Sequence, residues 1–108
     1  MASLNRTLPN RNFDEVLRRI EDGIIDGSIS ASLEESCDYH TPSARCAVRV
    51  FERYSYAGGN RVSLSVTLFE SAGELHLFAA ATGGSQAMFW KVNTFGEEAF
   101  LDKLKELL

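Results

Sequence analysis

The sequence predicts an α+β fold: an antiparallel four- to five-stranded meander sheet packed on one face by an N-terminal and a C-terminal helix, in the order α-β-β-β-β-(β)-α. Three observations predict it. Between Arg45 and Ala81, three runs alternate apolar and polar residues, parted by Ala57-Gly58-Gly59-Asn60 and Ser71-Ala72-Gly73-Glu74. Strands with one buried face joined by tight turns have this pattern. On either side, apolar residues recur at helical spacing: Phe13, Val16, Leu17, Ile20 and Ile24 before the meander, and Phe100, Leu101, Leu104, Leu107 and Leu108 after it. Each helix has one face that needs a sheet, and a two-layer sandwich satisfies both.

Residues 2–11 are polar, with Leu4, Leu8 and Pro9, and read equally as an edge strand or a loose arm. Asn12 caps the first helix, Glu15 stands three residues on, and Gly27 stops it. Ile29, Ala31 and Leu33 alternate with serines in a first strand reaching about Tyr39, followed by a turn at His40-Thr41-Pro42-Ser43. After the meander, Ala87 to Val92 reads as a short fifth strand or a crossing segment, and Thr94 with Glu97 opens the final helix.

Parity sets the expected faces, because strand side chains alternate. The inward set is Cys46, Val48, Val50, Tyr54 and Tyr56, then Val62, Leu64, Val66 and Leu68, then Leu75, Leu77, Ala79 and Ala81. A three-residue loop or bulge at Gly58-Gly59-Asn60 would keep the first two sets together, with Tyr54 opposite Leu64 and Tyr56 opposite Val62. A four-residue loop, Glu70-Ser71-Ala72-Gly73, would set Leu68 opposite Leu75 and Val66 opposite Leu77. Leu33 opposite Val50 would set Cys37 opposite Cys46, one register among several. The outer face would then carry Arg49, Phe51, Arg53, Phe69, His76 and Phe78.

A chain of 108 residues bounds one domain, 1–108, able to bury a core without staples. Its net charge of −4 and pI near 5.1 argue against general nucleic-acid or anionic-membrane binding. The N-terminus lacks an apolar run of signal-peptide length, and no run approaches the ~20 apolar residues of a membrane span. A soluble, cytoplasmic protein with two reduced cysteines is expected.

Two stretches carry a resemblance. One is Val50–Leu64, Val-Phe-Glu-Arg-Tyr-Ser-Tyr-Ala-Gly-Gly-Asn-Arg-Val-Ser-Leu. The other is Gly83–Leu101, which contains Gly-Gly-Ser-Gln-Ala-Met-Phe-Trp-Lys-Val-Asn-Thr-Phe-Gly-Glu-Glu. With the helix-then-serine-strand opening, the chain resembles a family of small, functionally uncharacterised bacterial proteins, a domain of unknown function. The resemblance covers nearly the whole chain and implies no activity, cofactor or site residue.

The residues offer no catalytic or cofactor motif above a weak signal. Cys37, Asp38, His40 and Cys46 are zinc-type donors, but the Cys-x8-Cys spacing is no standard ligand pattern, so no metal site is assigned. The leading expectation is a non-catalytic binding protein, a homodimer through Arg49, Phe51, Arg53, Phe69, His76 and Phe78, because exposed aromatics beside arginine mark protein contacts. The alternative, a small-molecule or enzymatic pocket between sheet and C-terminal helix, rests on Tyr54, Tyr56, Gly83, Gly84, Ser85 and Trp90. Base stacking on the outer face ranks last.

Overall fold

The computed structural model describes residues 1–55, 60–83 and 90–108, with the backbone alone at residues 55 and 90–95. The elements are β1 (Ala2–Thr7), α1 (Phe13–Asp26), β2 (Ser32–Thr41), β3 (Ala44–Ser55), β4 (Asn60–Ser71), β5 (Glu74–Gly83) and α2 (Trp90–Glu106). The strands form one antiparallel sheet in the order β1-β5-β4-β3-β2. Both helices pack on one face of it, so the fold is the α+β architecture expected.

The N-terminal residues are the edge strand of the two readings. β1 pairs with β5, Leu4 against Ala79, and the Leu8 N–H extends the ladder to the Leu75 carbonyl at 2.8 Å. The fifth strand is therefore β1. The strand expected at 87–92 is not formed where it can be seen: residues 90–92 already belong to α2, and 84–89 lie outside the described residues.

Helix α1 starts as its sequence dictates. The Asn12 side chain accepts from the Glu15 N–H at 3.0 Å, and Asp14 and Glu15 suit the positive end of the helix dipole. Phe13, Val16, Ile20 and Ile24 are buried against the sheet. Gly23 lets the helices approach closely, since a Cβ there would collide with the Leu107 side chain. The Arg11 and Arg19 guanidiniums donate to the carbonyls of Leu108 and Leu107 at 2.8 and 3.1 Å, tying α1 to the end of α2.

The faces of β4 and β5 follow the expected parity. Val62, Leu64, Val66 and Leu68 are buried, as are Leu75, Leu77, Ala79 and Ala81. Strand β3 has the opposite parity from that expected. Ala47, Arg49 and Phe51 face the helices and are buried, while Cys46, Val48 and Val50 lie on the outer face. Phe51 pairs with Leu64 and Tyr54 with Arg61, not with Leu64. Asn60 sits in the ladder opposite Ser55 rather than in the loop, and the rest of the expected loop lies outside the described residues. The physical reason is on α1 and α2. Arg45 lies 4.1 Å over the Phe13 ring, Arg49 bonds Glu21, and Arg53 lies 4.5 Å over the Phe100 ring. Arginine stems and heads on the inner face are therefore all met by the helices, and the larger Phe51 joins the core.

Two other registers shift by a turn's width. Leu68 pairs with Leu77 and Val66 with Ala79, so the β4–β5 hairpin turns on Ala72-Gly73 alone. Their φ values of 54° and 79° give both central residues the left-handed backbone of a type I′ turn. Glycine is at ease there and alanine is not. Ala72→Gly is expected to raise stability by up to about 1 kcal/mol in urea unfolding; a loss would refute the turn geometry. Strand β2 begins at Ser32, later than expected, and Ile29 stands 95% exposed outside it. A bulge between Leu33 and Glu35 sets Glu35 opposite Val50 and Cys37 opposite Val48, so Cys46 faces Tyr39 and not Cys37. His40 and Thr41 are strand, which confines that turn to Pro42-Ser43.

Candidate functional site

The face of the sheet opposite the helices has no covering element among the described residues. Its side chains form three central cross-strand rows. One runs Asn5, Phe78, Thr67, Val48, Cys37. The rows beside it run Ser3, Ala80, Ser65, Val50, Glu35 and Thr7, His76, Phe69, Cys46, Tyr39. Phe78 is 49% exposed, Phe69 41% and Tyr39 69%. Cys46, Val48 and Val50 are half-buried among them.

Polar groups bound the patch at both ends. At one end the Arg61 Nε–H donates to Glu52 at 2.8 Å, Glu34 lies 4.0 Å from the same guanidinium, and Ser32 donates to Glu34. At the other, His76 Nδ1 lies 3.1 Å from the Thr7 hydroxyl and Nε2 3.9 Å from Glu74. An apolar, aromatic centre within a polar rim is the anatomy of a protein contact.

Of the interface residues expected from sequence, the structure brings Phe69, His76 and Phe78 together on this face. It removes Arg49, Phe51 and Arg53 to the other side. Sequence reasoning missed Tyr39, Cys46, Val48 and Val50, which replace them. The signal was present, because the Val48 and Val50 set stays apolar whichever way β3 turns.

The expected pocket is not assembled among the described residues. Tyr54 is 49% exposed and belongs to the outer face, away from α2. The Gly83 N–H is already taken by Glu97 Oε2 at 2.7 Å. Buried Glu97 also meets the Met1 ammonium at 2.7 Å, so it joins α2 to β1 and β5 rather than capping the helix. Tyr56, Gly84 and Ser85 lie outside the described residues, as does the Trp90 side chain. The zinc-type donors are divided by the sheet, with Cys37 and Cys46 outward and Asp38 on the side of Arg49. An open depression of about 630 Å3 beside the Pro42-Ser43 and Ala72-Gly73 turns is lined by His40, Arg45 and Glu70. Arg45 there is committed to Asp14, and its hydrogen bond holds the Asp14 carboxyl below the ordinary range.

A family of unknown function, DUF6054, matches residues 1–108. The chain belongs to that family. Membership carries the resemblance seen in the sequence through the whole chain and assigns the DUF6054 fold no activity. No curated protein and no solved structure is detectably similar to it. No helix among the described residues is long and apolar enough to cross a membrane.

Proposed function

We propose that this is a cytoplasmic interaction protein that acts by binding, and that its open sheet face meets a second copy of the same chain. The observation that carries the reading is the patch of Val48, Val50, Phe69 and Phe78, which no element among the described residues covers. Contiguous exposed apolar surface of this kind marks association sites. Its size suits a dimer. Five strands at ~4.8 Å spacing, about ten residues long at ~3.3 Å each, make a face of roughly 800 Å2, which is the share each partner contributes to a standard interface. Its charge suits self-contact as well. A two-fold interface sets a patch against itself, and Glu35 is the only Asp, Glu, Lys or Arg in the three central rows. Like-charge repulsion between copies is thereby small.

The test is sedimentation of the wild type and of a Val48→Glu, Phe78→Glu variant. The wild type is expected at twice the 12.0 kDa subunit mass and the variant at the subunit mass, with helical circular dichroism unchanged. Alkylation of Cys37 and Cys46 should be slow in the dimer and fast in the variant. A wild type that stays monomeric at hundreds of micromolar overturns the reading.

A further inference from the structure

We propose that the free edge of β2 takes up an extended basic segment of another protein as a sixth strand. This goes beyond self-association, which uses the open face and not the edge. Strand β2 is last in the sheet order, so half of its backbone N–H and C=O groups pair with β3 and the alternate ones point out of the sheet. Leu33 to His40 are all exposed. Successive side chains point to opposite faces, so β2 stands open above, below and along its edge. The bulge between Leu33 and Glu35 disturbs its start, but from Glu35 to Thr41 the pairing with β3 is unbroken. That stretch is out of reach of residues 56–59 and 84–89. The first four join Ser55 to Asn60, which pair with each other, and Ser55 is about 23 Å along β3 from Val48, the partner of Cys37. The other six leave β5, about 14 Å across the sheet from β2, at a level about 16 Å along from Val48. They must return to α2, which packs on β1, β4 and β5.

Charge names the occupant. Between Arg19 and Arg45 the chain has six carboxylates, Glu21, Asp22, Asp26, Glu34, Glu35 and Asp38, and neither Lys nor Arg. The net charge of −4 is thus −6 here and +2 in the rest of the chain. The six lie on the second half of α1 and on β2, which are neighbours, and Arg49 answers Glu21 and Asp38 with a single positive charge. A second copy added at this edge would set the acidic margin against itself, and like charges opposed across a ladder destabilise it. A basic strand meets the complementary field. The other edge, β1, is six residues long and carries Arg6 as its one charged side chain, so it does not compete. The two faces set the pattern of the segment. Asp38 lies on the helix side with Arg49 and Glu21, while Cys37 and Tyr39 lie on the outer side and continue the rows of Val48 and Cys46. An added strand alternates in the same way. It therefore carries Lys or Arg on the helix side and apolar residues on the outer side, with main-chain bonds holding it and the alternate side chains selecting it.

The experiment titrates 15N-labelled full-length protein with the heptapeptide Lys-Val-Lys-Val-Lys-Val-Lys and, separately, with Glu-Val-Glu-Val-Glu-Val-Glu, at constant ionic strength. With the lysine peptide, amide resonances of residues 35–41 are expected to shift along a saturable curve while those of β1 hold. At saturation, the amides of that stretch that point away from β3 should exchange about tenfold more slowly or better, as new hydrogen bonds require. The glutamate peptide should leave both readouts unmoved. Shifts without slowed exchange would mean attraction by charge alone and overturn the added strand. So would equal binding of the glutamate peptide, or shifts centred on Phe69 and Phe78 in place of β2. Slow exchange of residues 35–41 that grows with protein concentration in the absence of peptide would put a second copy at this edge and overturn the basic partner.

Discussion

Phe51→Ala is expected to cost about 3–5 kcal/mol, the range for emptying a buried phenylalanine site. Phe51 is fully buried, pairs with Leu64 across the sheet and sits under the helices. Against a typical total of about 5–15 kcal/mol, such a loss leaves the protein marginal or unfolded at 37 °C. Phe78→Ala removes the same atoms from a side chain on the open face. It is expected to stay within about 0.5 kcal/mol when measured in protein dilute enough to sediment as a monomer. Urea unfolding of the two variants therefore reads the orientation of β3 directly. A Phe51 as silent as Phe78 would mean that β3 presents its other face to the core.

The contrast matters because that orientation was the one large feature the sequence misdirected. Strands β4 and β5 have only one apolar set each, so alternation left no choice. Strand β3 has two. Cys46, Val48, Val50 and Tyr54 outnumber Ala47 and Phe51, and counting favours the wrong set. What decides is a match that counting does not register. Asp14 and Glu21 are seven residues apart on α1, about 10 Å along a helix, and Arg45 and Arg49 are four apart on β3, about 13 Å along a strand. The two spacings agree closely enough for both ion pairs to form when α1 lies along β3. That complementarity is written in the sequence, but it becomes visible only once helix and strand are known to be neighbours.

The other departures have local causes. Loops of two or four residues preserve the same parity, so alternation could not separate Ala72-Gly73 from the longer turn. Alanine at positive φ hid the tighter one. The run ending in Phe89-Trp90-Lys91-Val92 has strand-forming residues, yet residues 90–92 are helical, a case of tertiary context overriding intrinsic preference. For the candidate site, the aromatic half, Phe69 and Phe78, was legible, because it lies on strands with unambiguous parity. The aliphatic half, Val48 and Val50, inherited the error in β3.

Arg49→Met is expected to cost about 2–3 kcal/mol, far more than Arg45→Met. The Arg49 side chain is 8% exposed and binds four groups: Glu21 at 2.8 Å, Asp38 at 3.0 Å, and the carbonyls of Val48 and Cys37 at 2.9 and 3.3 Å. Burial works against its charge, and the bonds to Glu21 and Asp38 outweigh that, so its pKa stands above the ordinary value. Hydrogen bonds to charged groups contribute about 1.5–3 kcal/mol each when buried. The full penalty for a stranded buried charge does not apply, because Glu21 and Asp38 are 35% and 65% exposed and rehydrate. Arg45 and Asp14 are both solvated, where water screens the pair and it contributes little. The consequence reaches the open face. Edge strand β2 is exposed along most of its length, and Arg49 is the side chain that ties its Asp38 and its Cys37 carbonyl to α1 through Glu21. Without it, amides of residues 36–40 should exchange faster while those of β4 hold, and Tyr39 and Cys37 should lose their fixed place beside Val48. Dimer affinity should then fall in Arg49→Met although no outer-face residue has changed; unaltered exchange in β2 would show instead that pairing with β3 suffices to hold the edge.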